Sequence, residues 1–262
     1  MTAQIHISGA RSRTPAAIFP RLARVHFASS YPEGPHKIPH KLASHSLLSK
    51  NALTELTARL PAYSVERFHD RTGEEYWTTL SNLEQEPEYA ALLSSLLSEI
   101  EDEIVARTGQ LIGAQISAFL SAPHAVKPYR LSSEHCLVLQ VHGERTMTVF
   151  PAAGLASSPE EPDGDTSSGD LTCHGASFRL SPGEAIYVPV MAPVHVKNGD
   201  EPSIAIMISW RSAWSVAEGE AGAFNDWLRR FGLNPQPPKR WPARNRAKAI
   251  AWRILRRLPG IR

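Results

Sequence analysis

The chain has 262 residues, 42% of them apolar, with 28 Lys or Arg against 26 Asp or Glu. That length suits one large domain with extensions and can bury a real core. No run approaches the ~18 apolar residues of a membrane span, Met1 to Arg13 lacks the apolar stretch of a secretory signal, and the two cysteines, Cys136 and Cys173, provide neither a disulfide framework nor zinc spacing, so a cytoplasmic setting is expected.

Taken in chain order, residues 1–30 read as an uncommitted N-terminal arm. A helix is predicted from Ser49 to Leu60, with Ala52, Leu53, Leu56 and Leu60 on one face and Pro61 as its stop. A second is predicted from Glu86 to Thr108. Pro87 suits its first turn, Leu92, Leu93, Leu96, Leu97, Ile100 and Ile104 form its stripe, and Gly109 ends it.

From Gln115 the period changes. Short apolar runs at Ile116–Leu120, Leu137–Val141, Thr146–Phe150, Phe178–Leu180, Ala185–Val190, His195–Lys197 and Ile204–Trp210 read as strands, with a hairpin turn at His142-Gly143-Glu144. Many short strands without intervening helices indicate a sandwich or barrel. Residues 152–176, rich in Ser, Gly, Pro, Asp and Glu, read as a flexible loop or a lid. Two helices, Ala221–Phe231 and Ala243–Leu258, close the chain, the last with an apolar face of Ala247, Ile250, Ala251, Ile254, Leu255 and Leu258.

Charge is unevenly spread. Trp227 to Arg262 holds eleven basic residues and no acidic one, leaving 17 basic and 26 acidic residues in the rest. Such a tail suits nucleic acid or an anionic membrane. It equally suits a surface helix lying against an acidic body or a second subunit. No recognition-helix motif accompanies it, so nucleic acid is not expected as a partner.

Three blocks carry a family resemblance. The first runs from Tyr31-Pro32-Glu33 through His45-Ser46-Leu47-Leu48 to Leu60-Pro61-Ala62-Tyr63. The second runs from Ser121-Ala122-Pro123-His124 through Gln140-Val141-His142-Gly143 to Phe150-Pro151. The third is Leu180-Ser181-Pro182-Gly183-Glu184 through Val196-Lys197-Asn198-Gly199 to Ser209-Trp210-Arg211. Together they resemble the bacterial cupin-like, JmjC-type proteins of the Fe(II)/2-oxoglutarate oxygenase superfamily, over roughly residues 25 to 258. The resemblance implies a mainly β fold: a double-stranded β-helix (jelly-roll) core, an N-terminal helical layer and a C-terminal helical pair that forms a homodimer. The domain would span 31–217 and the pair 218–262.

The family's metal strand reads P-[FY]-H-x-D-x-E-H, where this chain has Pro128-Tyr129-Arg130-Leu131-Ser132-Ser133-Glu134-His135. Iron in such enzymes is held by two His and one carboxylate. Arg130 cannot deprotonate to ligate a cation, and serine is a poor Fe(II) ligand. The distal strand of the family reads A-P-H-W-V-K-N-G. Here Val194 takes the His position and His195 falls one place later, on the opposite face of a strand unless a bulge turns it inward. No metal is therefore expected, and neither Fe(II) nor 2-oxoglutarate is an expected cofactor.

At positions 127, 136 and 145 the family commonly has Thr, Asn and Lys, and this chain has Lys127, Cys136 and Arg145. Arg145 could hold a carboxylate bidentately. A buried cation needs an anionic ligand or internal pairing with Glu134. The candidate pocket is Arg130, Ser132, Arg145, Lys127, Cys136, Val194, His124, Glu134, His195 and Trp210. Each has a plainer reading: Arg130 plugging the barrel against Glu134, Cys136 as a small buried hydrophobe, and Tyr129 and Trp210 as packing.

Three functions compete. The first is a metal-independent relative that takes a small anionic molecule in the barrel, as a binder or as an enzyme of specialised metabolism. The second is an oxygenase with a relocated metal site of Glu134, His135 and His195 or His124. The third is a non-catalytic interaction module using the basic tail.

Overall fold

Alternation of apolar and polar residues, with period two, builds two antiparallel sheets that share one barrel interior. The computed structural model describes residues 17–130, 132–151, 175–236 and 242–257, without the side chains of 128–130 and 242–244. The strands are β1 (His36–Pro39), β2 (Val65–His69), β3 (Glu75–Leu80), β4 (Leu111–Ser121), β5 (Val126–Arg130), β6 (His135–His142), β7 (Arg145–Val149), β8 (Ala176–Leu180), β9 (Glu184–Val188), β10 (Val194–Asn198) and β11 (Ser203–Ser212). The helices are α1 (Arg21–Ser30), α2 (Lys50–Arg59), α3 (Pro87–Ser98), α4 (Glu101–Thr108), α5 (Ala213–Arg229) and α6 (Pro242–Leu255).

The larger sheet has the order β1-β9-β6-β11-β4-β3-β2, and the smaller β5-β10-β7-β8. Phe119, Val138 and Ile186 from the first meet Met147, Val149 and Leu180 from the second around the barrel interior. The opposite face of the large sheet carries Ile116, Leu137, Tyr187, Ile208 and Trp210, and the N-terminal helices cover it with Phe27, Leu53, Leu93 and Ile104. This is the expected double-stranded β-helix with its helical layer.

Part of the segment expected as an uncommitted arm is folded. Residues 1–16 lie outside the described residues, but 21–30 form α1, and Phe19, Phe27 and Tyr31 are fully buried. Each such aromatic contributes roughly 1.5–3 kcal/mol by burial. Helix 86–108 divides into α3 and α4. Its apolar stripe runs through the break, since Leu96, Ile100 and Ile104 all reach the same core. At the break, the Glu99 carboxylate instead accepts the backbone N–H of Ile18 (2.6 Å) and Phe19 (3.0 Å). That anchors the entry to α1 and ties the two helices to the start of the described chain.

Ser49, predicted as the first helical residue, instead caps α2 and accepts from the Ala52 N–H at 3.2 Å. The turn at His142-Gly143-Glu144 is not a hairpin. It passes the chain from β6 in the large sheet to β7 in the small one. Gly143 has φ 64°, and a Cβ there would sit 2.4 Å from the Pro202 carbonyl oxygen, so the crossover needs glycine. Helix α5 starts at Ala213, eight residues before its expected start, behind a capping box of Ser212 and Ser215. On α6, Arg253 pairs with Glu220 of α5 at 2.7 Å, so part of the basic tail does lie against an acidic neighbour. The expected loop at 152–176 lies, apart from its last two residues, outside the described residues.

Candidate functional site

The barrel interior holds a cavity of about 170 Å³. That is room for a molecule with the volume of roughly five to six waters. Its walls are mainly apolar: Trp77, Phe119, Val138, Met147, Val188 and Met207. The polar groups fall into two sets. Lys127 and Arg145 supply positive charge, while Glu134, the amides of Asn82 and Gln115, the thiol of Cys136 and the hydroxyls of Ser81, Ser117, Ser132 and Ser209 supply acceptors and donors.

Strand register explains these positions. Gln115, Ser117 and Phe119 alternate along β4 and point inward. Opposite them Met207 and Ser209 of β11 do the same, and Ser209 faces Cys136 of β6. On the small sheet Val194 and Val196 line the cavity, flanked by β5 and β7.

Arg145 is the most informative side chain. It is 2% exposed. Its Nη2 donates to Ser203 Oγ at 2.8 Å, and its Nε has no acceptor. Its guanidinium carbon lies 5.7 Å from the centre of the Trp77 ring. Among the described residues no carboxylate pairs with it. Burial lowers its pKa to about 9, so it stays a cation at neutral pH, at a cost of several kcal/mol. Lys127 extends over three rings, 4.5 Å from Phe68, 4.8 Å from Trp77 and 5.6 Å from Phe119. Both cationic heads therefore share the indole of Trp77.

Glu134 also lines the cavity and is held by its neighbours. Its carboxylate lies 3.6 Å from Arg211 Nε, and its backbone N–H donates to Ser132 Oγ at 3.1 Å. Cys136 is buried, with its Sγ 3.7 Å from Ser132 Oγ.

Six of the ten candidate residues thus line one cavity: Lys127, Ser132, Glu134, Cys136, Arg145 and Val194. Three others do not. Trp210 faces the helical layer and is fully buried there, 5.6 Å from the His135 ring, because it sits one residue out of phase with Ser209. His124 is exposed on a left-handed turn beside Asp200, at 3.6 Å. His195 lies between Val194 and Val196, which point inward, so it takes the other face. The strand irregularity that could have turned it inward falls in β5, between Lys127 and Arg130, not in β10. The backbone of Arg130 pairs with Val194, and its side chain lies outside the described residues. Sequence reasoning missed Trp77, Gln115, Ser117, Phe119 and Met207. The alternation of Gln115, Ser117 and Phe119 was a usable signal.

His135 completes the contrast. Its Nδ1 is 2.7 Å from Tyr187 Oη and its Nε2 3.3 Å from Ser212 Oγ, on the helical side of the sheet. Burial lowers its pKa to about 3, so it is neutral. The alternative metal set of Glu134, His135 and His195 or His124 is therefore spread over different faces. Among the described residues no group of three His, Cys, Asp or Glu could hold a metal ion.

No protein-family model and no curated protein matches the chain. Solved structures do. YcfD of Escherichia coli is 16% identical over 90% of this chain and 68% of its own, with a TM-score of 0.51. A second structure, titled as the Escherichia coli ribosomal oxygenase YcfD, is 15% identical over 86% of this chain and 64% of its own, with a TM-score of 0.47. SnoN, a non-heme alpha ketoglutarate dependent epimerase from nogalamycin biosynthesis, is 15% identical over 74% and 85%, with a TM-score of 0.48. The chain thus spans about two thirds of the length of YcfD. The 0.51 match shows a shared fold.

Proposed function

We propose that this chain, built on the fold of the cupin-like oxygenases, binds a small organic anion inside its barrel without Fe(II). One observation carries the reading: Arg145 is buried against the cavity, cationic at neutral pH, and has no carboxylate partner among the described residues. A buried charge in that state calls for an anion. Lys127, at the same indole ring, adds a second attraction.

Iron chemistry fits this donor set poorly. The positions that correspond to the metal ligands hold Arg130, Ser132 and Val194, and no histidine lines the cavity among the described residues. Glu134 and Cys136 are the strongest metal donors there, and Arg145 adds a cation to the same space. The residues do not supply two imidazoles and a carboxylate.

The test is anaerobic titration with Fe(II), followed by oxygen exposure with 2-oxoglutarate, beside calorimetry with small carboxylates. We expect no stoichiometric iron uptake, no 2-oxoglutarate consumption, and carboxylate binding that Arg145→Ala abolishes. Stoichiometric Fe(II) with 2-oxoglutarate turnover would overturn the reading.

We further propose that the C-terminal pair mediates a homodimer in a cytoplasmic protein. Ile250 and Ile254 of α6 are more than half exposed, at 55% and 59%, on the side turned from α5. Among the described residues no helix is long and apolar enough to cross a membrane. Sedimentation of an Ile250→Glu, Ile254→Glu variant checks the dimer, with a monomer expected.

A further inference from the structure

The cavity carries charges of both signs, and this bears on which anion it takes. Arg145 is held by Ser203, the first residue of β11. Glu134 precedes Cys136, which pairs with Ser209 six residues further along the same strand. Six residues of strand cover about 20 Å. Inward-reaching Arg and Glu side chains shorten the gap between their charged heads. Both side chains nevertheless line the one cavity, and the register along β11 sets their attachment points apart.

Among the described residues no opposite charge inside the barrel pairs with either group. Arg145 has there only the Ser203 hydroxyl as acceptor. Glu134 has Arg211, at 3.6 Å, and that arginine is half exposed. A single-contact pair of this kind is weak. It leaves acceptor sites on the carboxylate open, since an ionised carboxylate offers about four.

We propose that the preferred ligand is bipolar, with an anionic group on Arg145 and an ammonium or other strong hydrogen-bond donor on Glu134. The chemical class is a short ω-amino acid or a close analogue, rather than a dicarboxylate or a plain fatty acid. A dicarboxylate would place its second charge against Glu134, and like charges at close range repel. An alkanoate would leave Glu134 without a partner from the ligand. Glu134 is then a specificity-determining residue. This inference rests on the anion-binding reading above, and its test separates the two.

Calorimetry on the full chain would compare β-alanine, γ-aminobutyrate and longer ω-amino homologues with the matching alkanoates and with glutarate. The amino compounds should bind best at one chain length, by about tenfold over the matching alkanoate, the ratio that about 1.4 kcal/mol gives. Glu134→Gln should bring the ratio of amino-compound to alkanoate affinity to about one, and Glu134→Asp should restore part of the preference. Equal binding of amino compound and alkanoate, or a preference that survives Glu134→Gln, overturns the inference while anion binding stands. If no carboxylate binds and Arg145→Ala changes nothing, the anion-binding reading fails and this inference fails with it.

Discussion

The two faces of the large sheet are made from the same strands and solve opposite problems. On β6 and β11, His135, Leu137, Ile208 and Trp210 face the helices, while Cys136, Val138, Met207 and Ser209 face the barrel. Each face buries an ionisable group. His135 is neutral, with both ring nitrogens near hydroxyls and Trp210 and Tyr187 stacked around it. Arg145 is a cation with one hydroxyl and an idle Nε. His135 finds its partners within the outer face, and the Arg145 guanidinium finds only one on the inner face. Burial alone therefore does not mark a functional site. A buried charge without its partner, beside open space, does.

The comparison breaks most sharply at Trp210. Trp210→Ala should cost about 3–5 kcal/mol of stability, read as a lowered denaturant midpoint. Any folded fraction should still bind anion with unchanged affinity. Loss of binding without loss of stability would move Trp210 to the inner face and undo the comparison.

Arg145→Ala is the inverse case. Removing an unpaired buried cation should leave the free protein as stable or more stable, while affinity for small carboxylates falls about 100-fold, or roughly 2.7 kcal/mol. The pH dependence follows from the same group. Burial lowers its pKa only to about 9, and a guanidinium holds its proton tightly, so affinity should stay flat from neutral pH upward. Calorimetry between neutral pH and the alkaline limit of folding checks this.

The outer face titrates at acid pH. His135 falls from an ordinary value of 6.5 to about 3, and His40 to about 4, both through burial. A depressed imidazole binds its proton only after unfolding. Stability is therefore complete above pH 6.5 and declines as pH drops toward those folded values, by about 1.4 kcal/mol per pH unit for each group. His135→Gln should flatten that acid limb in denaturant melts. Carboxylate affinity should not change with it.

These two faces were unequally legible in the sequence. The strands from Leu137 and Ile204 declared themselves by alternation, and the departures from the family's ligand pattern were visible at Arg130, Ser132 and Val194. Position along a strand was readable too, so His195 was assigned to the outward face. Trp210 was not, because a motif match at Ser209-Trp210-Arg211 says which strand but not which residue is in phase with Cys136. Trp77, which touches both cations, sits in β3, where Glu75–Leu80 lacks clean alternation and pairs only with its neighbours β2 and β4. The first helix was hidden for a different reason. Its amphipathic stretch is short, and it is fixed by Glu99, a long-range partner that no local pattern reveals.

The smallest effect is expected at His195, and it is the strictest check on the two-face description. Its register partner on β7 is Thr148, while Val194 and Val196 on either side project into the cavity. Pairing between β10 and β7 is regular through all five residues from Val194 to Asn198, so nothing in β10 rotates one side chain against its neighbours. The extra residue that breaks the alternation is on β5. His195→Ala should then change neither metal content nor carboxylate affinity, and should move stability by about 0.5 kcal/mol or less. Metal analysis and calorimetry on that variant read both at once. A fall in bound metal would mean that the imidazole reaches the barrel after all, that period two fails at this strand, and that the inner face has a ligand the register denies it.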